Sequence, residues 1–393
     1  MKNNKRTWKR FLLAGLAATV LSTGINFVDM QAAHAKAQWD GFNFEGHRGG
    51  RDARPENTLI SFAYGMEMGE STLEMDMQLT KDGHIVISHN PFLAPWLAKG
   101  PDGKYVDKDF QYDMRLMTLD QIKQFDVGTM NPTPTKSVGY EGYYESHGKT
   151  QISVPGTKIP TLEEVFELAN SYGNKKIHFD IETKSYADPA DPGYKHNPNP
   201  AVFVKKVDEI VRKYNMQDRV TLQSFDWRTI KEMKKIDPDI FTVALVNEEP
   251  SWGWVEGCYL KIGDKKPSPW LAGININEKP YYGDYMKAAH DVGADAVSVY
   301  FKELSPNLLE EAHQLGMKVT VWTVNDPKDM NMLLDMGVDG IITDKPWVLK
   351  EVLTKRGIET PEPTVNVNSP YHTGTAINDV TTKKLENGGD AAH

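Results

Sequence analysis

The chain has 393 residues, a formal net charge of −9, and 39% hydrophobic and 25% charged residues. This composition suits one large globular domain or two medium ones, and it excludes a fully disordered chain, a collagen-like repeat and a multi-span membrane protein. A single cysteine, Cys258, excludes an internal disulfide framework and a cysteine-rich zinc or iron–sulfur site.

Residues 1–35 read as a signal peptide that is removed. Lys2, Lys5, Arg6, Lys9 and Arg10 form a basic segment, and Phe11–Leu21 is an apolar run too short to span a bilayer. Ala33-His34-Ala35 has the small-x-small form of a cleavage site. The expected protein is therefore secreted, or periplasmic or cell-wall-associated, with no integral membrane segment in its mature chain. Removing five basic residues and one acid, Asp29, takes the remainder to −13. So acidic a chain argues against a nucleic-acid partner. Attraction of an anionic substrate would have to be local, through a metal ion or a few placed bases.

From residue 42 to 355, strand-like and helical runs alternate. The pattern predicts strands over 42–47, 72–79, 84–89, 177–183, 219–225, 241–246, 296–300, 318–324 and 340–343. It predicts helices over 57–69, 161–171, 201–214, 227–236, 281–292, 305–315 and 326–336. Thr161 followed by Glu164 has the capping-box spacing, and Ser305-Pro306 places proline in a first turn. The turn Thr80-Lys81-Asp82-Gly83 sends the third strand back antiparallel to the second. With Asp82-Gly83 at its centre, Asp76 faces His89. Eight strands remain to run parallel, the count of an α/β fold of the (β/α)8 TIM-barrel type. The hairpin and a long insert follow the second strand. A doubly wound sheet lacks support, because no glycine-rich dinucleotide turn is present.

The insert, 90–160, is rich in glycine, proline and aromatic residues, including Trp96, Tyr105, Tyr140, Tyr143 and Tyr144. A second long loop, 247–279, carries Trp252, Trp254 and Trp270. Loops of this length are functional or form a subdomain. Residues 358–393 lose the pattern and are expected to be a disordered tail.

Chemistry concentrates on two strands. In Thr72–Leu79 the alternation puts Thr72, Glu74, Asp76 and Gln78 on one face and Leu73, Met75, Met77 and Leu79 on the other. Two carboxylates two residues apart lie roughly 6–7 Å apart along a strand and repel unless a cation or a proton intervenes. In the fourth strand His178, Asp180, Glu182 and Lys184 share a face. Charges turned inward from two barrel strands need partners. The pair of strands points to a metal site of Glu74, Asp76 and Glu182; all-oxygen ligands select a hard cation, Ca2+ or Mg2+. His89, delivered by the hairpin, and His47, ending the first strand, make an acid/base pair beside it. Arg48 and Lys184 add positive charge suited to phosphate oxygens. The set suits hydrolysis of a phosphodiester.

The motifs carrying this chemistry form a recognisable order: G-H-R-G at 46–49, P-E-N-T at 55–58, E-M-D at 74–76, T-K-D-G at 80–83 with S-H at 88–89, I-E-T-K at 181–184, Q-S-F at 223–225, V-W-T-V-N at 321–325 and G-I-I-T-D-K-P at 340–346. Together they resemble the glycerophosphodiester phosphodiesterase family over about residues 42–350. The resemblance implies a TIM barrel, bound Ca2+ or Mg2+, and hydrolysis of glycerophosphodiesters to an alcohol and sn-glycerol 3-phosphate. It implies His47 and His89 as general acid/base pair, Glu74, Asp76 and Glu182 as metal ligands, and Arg48 and Lys184 as phosphate contacts. Trp322 resembles a wall on the substrate side, and Glu56 a supporting residue. The family usually has Asp after the second histidine; this chain has Asn90. The substrate would be a small glycerophosphodiester, from a deacylated phospholipid or a wall polymer. Alternative readings are a phospholipase D-like or phosphoinositide phospholipase C-like enzyme on the same barrel, or a surface-binding protein without turnover.

Overall fold

The computed structural model describes residues 41–137, 139–248, 260–264 and 266–372. Nine strands and nine α-helices follow in chain order among them: β1 (Asn43–Gly46), α1 (Leu59–Met68), β2 (Thr72–Leu79), β3 (Ile85–Ile87), α2 (Leu119–Ile122), α3 (Leu162–Ser171), β4 (His178–Thr183), α4 (Pro200–Lys213), β5 (Val220–Ser224), α5 (Trp227–Ile236), β6 (Phe241–Val246), α6 (Tyr285–Val292), β7 (Ala296–Tyr300), α7 (Pro306–Gln314), β8 (Lys318–Trp322), α8 (Pro327–Met336), β9 (Gly340–Thr343) and α9 (Pro346–Lys355). Strands β1, β2 and β4 to β9 pair in parallel, and β1 pairs with both β9 and β2, which closes an eight-stranded barrel. The helices cap as their sequences dictate. The Thr58, Thr161, Ser305 and Asp284 side chains each accept a backbone N–H at the start of α1, α3, α7 and α6. The Asp284 cap is why α6 begins four residues later than the apolar pattern suggests.

The alternation on β2 sets inside and outside. Leu73, Met75 and Met77 are fully buried against Phe62, Met66, Val165 and Phe166 of α1 and α3. Each such side chain contributes about 1.5–3 kcal/mol of burial. Glu74 and Asp76 therefore point into the barrel. On the far side of the interior, β6 and β7 contribute Phe241, Val243 and Ala296, a small apolar cluster. The inner wall thus carries its charged groups on β1, β2 and β4, with this apolar cluster opposite them.

The hairpin differs from expectation by one residue. β2 and β3 pair as Met77 with Ile87 and Leu79 with Ile85, so the loop is three residues, not two. Gly83 takes φ +84°, the left-handed position such loops need. The Thr80 hydroxyl binds Asp82 and accepts the His84 N–H, which closes the loop at Thr80 and His84. Asp76 consequently faces Ser88, whose N–H donates to the Asp76 carbonyl at 2.8 Å. His89 lies beyond the strand and reaches the carboxylates by leaving it.

The insert carries two apolar clusters of its own. One joins Val86, Leu93, Met114, Ile122 and Phe125; the other is aromatic, with Phe92, Trp96 and Tyr143. In the second long loop Trp270 is buried against Tyr186 and Ala187, while Trp252, Trp254 and Cys258 lie outside the described residues. The C-terminal expectation needs correction for 358–372. This irregular segment lies on α1 and α3: the Thr364 N–H donates to Met66, the Asn366 carboxamide to Ser171, and His372 pairs with Glu67 at 2.8 Å. Tyr371 packs on the same apolar cluster. One aromatic ring, one backbone bond and the side chains of Asn366 and His372 hold a stretch whose composition alone reads as unstructured. Residues 1–40, which include the expected signal peptide, and 373–393 lie outside the described residues. No helix among those described is long and apolar enough to cross a membrane.

Candidate active site

His47, Arg48, Glu182, Lys184 and Trp322 lie at or just past the carboxyl ends of β1, β4 and β8, the end where barrel enzymes carry their chemistry; Glu74 and Asp76 lie within β2, and His89 follows the hairpin strand β3. Parallel register places Glu74 beside Asp180 and Asp76 beside Glu182. Oxygens of Glu74, Asp76 and Glu182 all lie within 4.8 Å of one another, and the three side chains are buried. Burial, then repulsion from Asp76, pushes the Glu74 carboxyl well above its usual range. Glu182 is pushed up to about 7 by burial, against the pull of Lys184. Asp76 goes the other way: burial would raise it, but Lys184, His89 and Arg48 hold it well below the carboxylate range. Lys184 Nζ lies 3.1 Å from Asp76 and 2.8 Å from Glu182. Three convergent oxygen donors with one ammonium between two of them fit a hard divalent cation, because the remaining repulsion is relieved by positive charge.

The turn after β1 is built around this cluster. Arg48 has φ +52°, an unfavourable region for a side chain with Cβ. Its N–H donates to Glu74 Oε2 at 2.7 Å, and its guanidinium lies 2.9 Å from Glu56 and 3.3 Å from Asp76. Asn57, at φ +54°, donates to Asp76 at 2.8 Å and to the Arg48 carbonyl. Gly49, at φ +76°, packs where a Cβ would lie 2.6 Å from the Ser61 hydroxyl. Glu56 thus supports Arg48, as the resemblance suggested, and also accepts the Tyr143 hydroxyl from the insert.

The two histidines have different hydrogen-bond partners. His47 Nε2 is 4.0 Å from Glu74, and its Nδ1 is 2.6 Å from Asp344. Burial first, then Arg48 and Arg51, lowers the His47 imidazole to about 4, with Asp344 opposing. His89 is lowered well below its ordinary value by burial and by Arg48 and Lys184, and Asp76 opposes. Its Nδ1 faces the Asn90 carboxamide at 3.2 Å and the Tyr140 hydroxyl at 3.3 Å. Trp322 stands at the end of β8, edge-on to Phe225, whose ring lies 6.0 Å from Lys184 Nζ. Its indole N–H donates to the Ser298 carbonyl, which fixes the ring at the mouth.

Several members of the site went unassigned in the sequence. Asp344 receives His47 and Arg51 on one oxygen, and Arg51 and Asn325 on the other, at 2.6 to 3.1 Å. Gln223 donates to Glu74. Glu45 and Asp180 share a hydrogen bond below Glu74, and burial raises both carboxyls, Glu45 to about 8. Asp344, Gln223 and Asn325 stand in quoted motifs at strand ends, and that position was the available signal. Asp52, His147 and Asp344 also lie close together. Both Asp344 oxygens are already committed to two donors each, so that group does not suit a cation.

A (β/α)8 barrel presenting buried carboxylates, two imidazoles and two cations at its carboxyl mouth defines a hydrolase equipped for phosphate esters. Residues 47–348 match the glycerophosphoryl diester phosphodiesterase family. A glycerophosphodiester phosphodiesterase of Caldanaerobacter subterraneus subsp. tengcongensis is 29% identical over 311 residues, covering 79% of this chain and 97% of the relative. A lysophospholipase D of Homo sapiens is 23% identical, covering 78% of this chain and 84% of its own. The solved structure of a candidate glycerophosphoryl diester phosphodiesterase from Silicibacter pomeroyi superposes with a TM-score of 0.63 at 30% identity, covering 80% of this chain and 94% of that one. The chain belongs to the glycerophosphodiester phosphodiesterase family, and it is a phosphoric diester hydrolase.

Proposed function

We propose that the protein hydrolyses small glycerophosphodiesters to an alcohol and sn-glycerol 3-phosphate, using Ca2+ or Mg2+ held by Glu74, Asp76 and Glu182. The observation that carries this reading is the buried group of Glu74, Asp76 and Glu182, whose oxygens lie within 4.8 Å of one another, with His47 Nε2 4.0 Å from Glu74. A phosphodiester needs a proton removed from the attacking oxygen and one delivered to the leaving alkoxide, and two separately held imidazoles can serve both needs. When bound, the cation supplies charge neutralisation at the phosphate. Arg48 and Lys184 add fixed positive charge without reorganisation. Asp344 holds His47 with Nδ1–H directed at a carboxylate, which leaves Nε2 to handle the proton. Trp322 and Phe225 wall the glycerol or leaving-group side.

A structure from Oleispira antarctica, similar in fold, is described as holding the product sn-glycerol 3-phosphate. That product matches the proposed reaction. The basic and apolar segments before residue 36 support export, where deacylated phospholipids or wall polymers would be the source of substrate. The test is the rate of glycerol 3-phosphate release from glycerophosphocholine and glycerophosphoglycerol, read by a coupled dehydrogenase, beside the release of choline and lysophosphatidic acid from lysophosphatidylcholine. Release from the first two supports the reading. Cleavage confined to lysophosphatidylcholine favours the phospholipase D-like alternative.

A further inference from the structure

The histidines are held by unlike partners, and the difference originates in the insert. Asp344, a carboxylate, orients His47. Among the described residues, the hydrogen-bond partners of His89 Nδ1 are neutral: the Asn90 carboxamide at 3.2 Å and the Tyr140 hydroxyl at 3.3 Å, 51 residues away in sequence. Tyr140 is itself fixed. Its ring stacks on Trp96 with centroids 3.8 Å apart and planes 12° from parallel. Trp96 is fully buried and meets Phe92 edge-on, and Phe92 follows Asn90 by two residues. The Tyr140 N–H donates to Ser137 and its carbonyl accepts the Tyr143 N–H, while the Tyr143 hydroxyl donates to Glu56. The loop that bears His89 and the turn that bears Tyr140 are therefore one packed aromatic unit. Tyr140 is half-buried and faces the charged groups at the mouth: Arg48 and Lys184 favour its ionised form, Glu56 opposes it, and burial raises it overall.

A single carboxamide acceptor 3.2 Å away fixes an imidazole weakly. A second group at the same nitrogen restricts rotation of the ring about its two side-chain torsions. From this geometry we propose that Tyr140, delivered by the insert, is a positioning residue that holds His89 in its working orientation together with Asn90. The inference rests on the proposed phosphodiesterase reading and explains what the insert supplies to it. One hydrogen bond between neutral groups is worth about 0.5–1.5 kcal/mol, a factor of roughly 2 to 12 in rate if it is expressed in the transition state. Tyr140 acts through His89, so its effect must vanish where the imidazole is absent.

The experiment uses the full chain and glycerophosphocholine. Tyr140→Phe keeps the stack on Trp96 and removes only the hydroxyl. Its expected effect is a five- to tenfold fall in kcat, with KM within twofold and an unchanged melting temperature. Asn90→Asp places a charged acceptor at Nδ1. In that background Tyr140→Phe should cost less than twofold, a rescue that a general packing defect would not show. In the His89→Ala background Tyr140→Phe should cost nothing further. The proposal is overturned if Tyr140→Phe keeps kcat within twofold of wild type, if it raises KM alone, or if it lowers His89→Ala further. The last result would mean that the phenol contacts substrate itself. A wild-type protein that fails to cleave glycerophosphocholine, glycerophosphoglycerol and related diesters would count against the reading of function, not against this placement of Tyr140.

Discussion

Asp344→Asn isolates the charge that holds His47. Asp344 is 1% exposed, and its two oxygens accept from His47, twice from Arg51, and from Asn325. Asparagine keeps one oxygen and replaces the other with a carboxamide NH2, which only donates. That NH2 must then oppose either the His47–Arg51 pair of donors or the Arg51–Asn325 pair. Hydrogen bonds to a charged acceptor are worth about 1.5–3 kcal/mol, and the loss of one at a buried site leaves an unpaired donor in addition. A loss of about 3 kcal/mol corresponds to roughly a hundredfold in kcat. Asp344 does not contact the three candidate metal ligands, so KM should move by less than threefold. Steady-state release of glycerol 3-phosphate from glycerophosphocholine measures both constants, and circular dichroism checks the fold. A kcat within threefold of wild type, or a loss expressed wholly in KM, would refute the role given to Asp344.

Other consequences can be measured in the same preparations. His47→Ala and His89→Ala should each lower kcat by about 10²–10⁴-fold, and the double variant should fall short of the product of the two effects, because the residues serve one step; strict additivity would show that they act independently. Glu74→Gln and Glu182→Gln should each abolish turnover and weaken Ca2+ binding measured by calorimetry, with circular dichroism unchanged; undiminished Ca2+ affinity would remove these residues from the ligand set. Glu70, buried between β1 and α1, is pushed up to about 8 by burial. A raised carboxyl contributes stability that is complete below its unfolded value near 4.5 and is lost as pH rises through about 8. Glu70→Gln should therefore raise the melting temperature relative to wild type more at pH 9 than at pH 5, and an equal difference at both would contradict the burial argument.

The parts of this molecule that depend on local pattern were legible in its residues. Alternation in Thr72–Leu79 assigns Glu74 and Asp76 to the interior because Leu73, Met75 and Met77 have helices to pack against. The eight-stranded count follows from setting aside the hairpin strand. The hairpin register failed by one because the sequence T-K-D-G is compatible with both two- and three-residue loops. The Thr80 side chain, bound to Asp82 and to the His84 N–H, decides between them. Asp344 went unassigned because it lies 297 residues from His47. Barrel closure pairs Gly46 with Thr343, so the next residue on each strand, His47 and Asp344, become neighbours. That adjacency follows from the fold class alone once β1 and β9 are taken as the closing pair. Tyr140 is different. No periodicity connects an irregular insert to the residue it touches, and only the Trp96 stack places it.

In the proposed mechanism, buried carboxylates hold a divalent cation while two imidazoles move protons at a glycerophosphodiester. Its most direct test is release of glycerol 3-phosphate from glycerophosphocholine by the purified chain before exhaustive chelation with EDTA, after it, and after Ca2+ or Mg2+ is restored. Turnover should disappear on chelation and return with one of the two ions. Full turnover in the chelated protein, or no glycerol 3-phosphate under any of the three conditions, would contradict this mechanism.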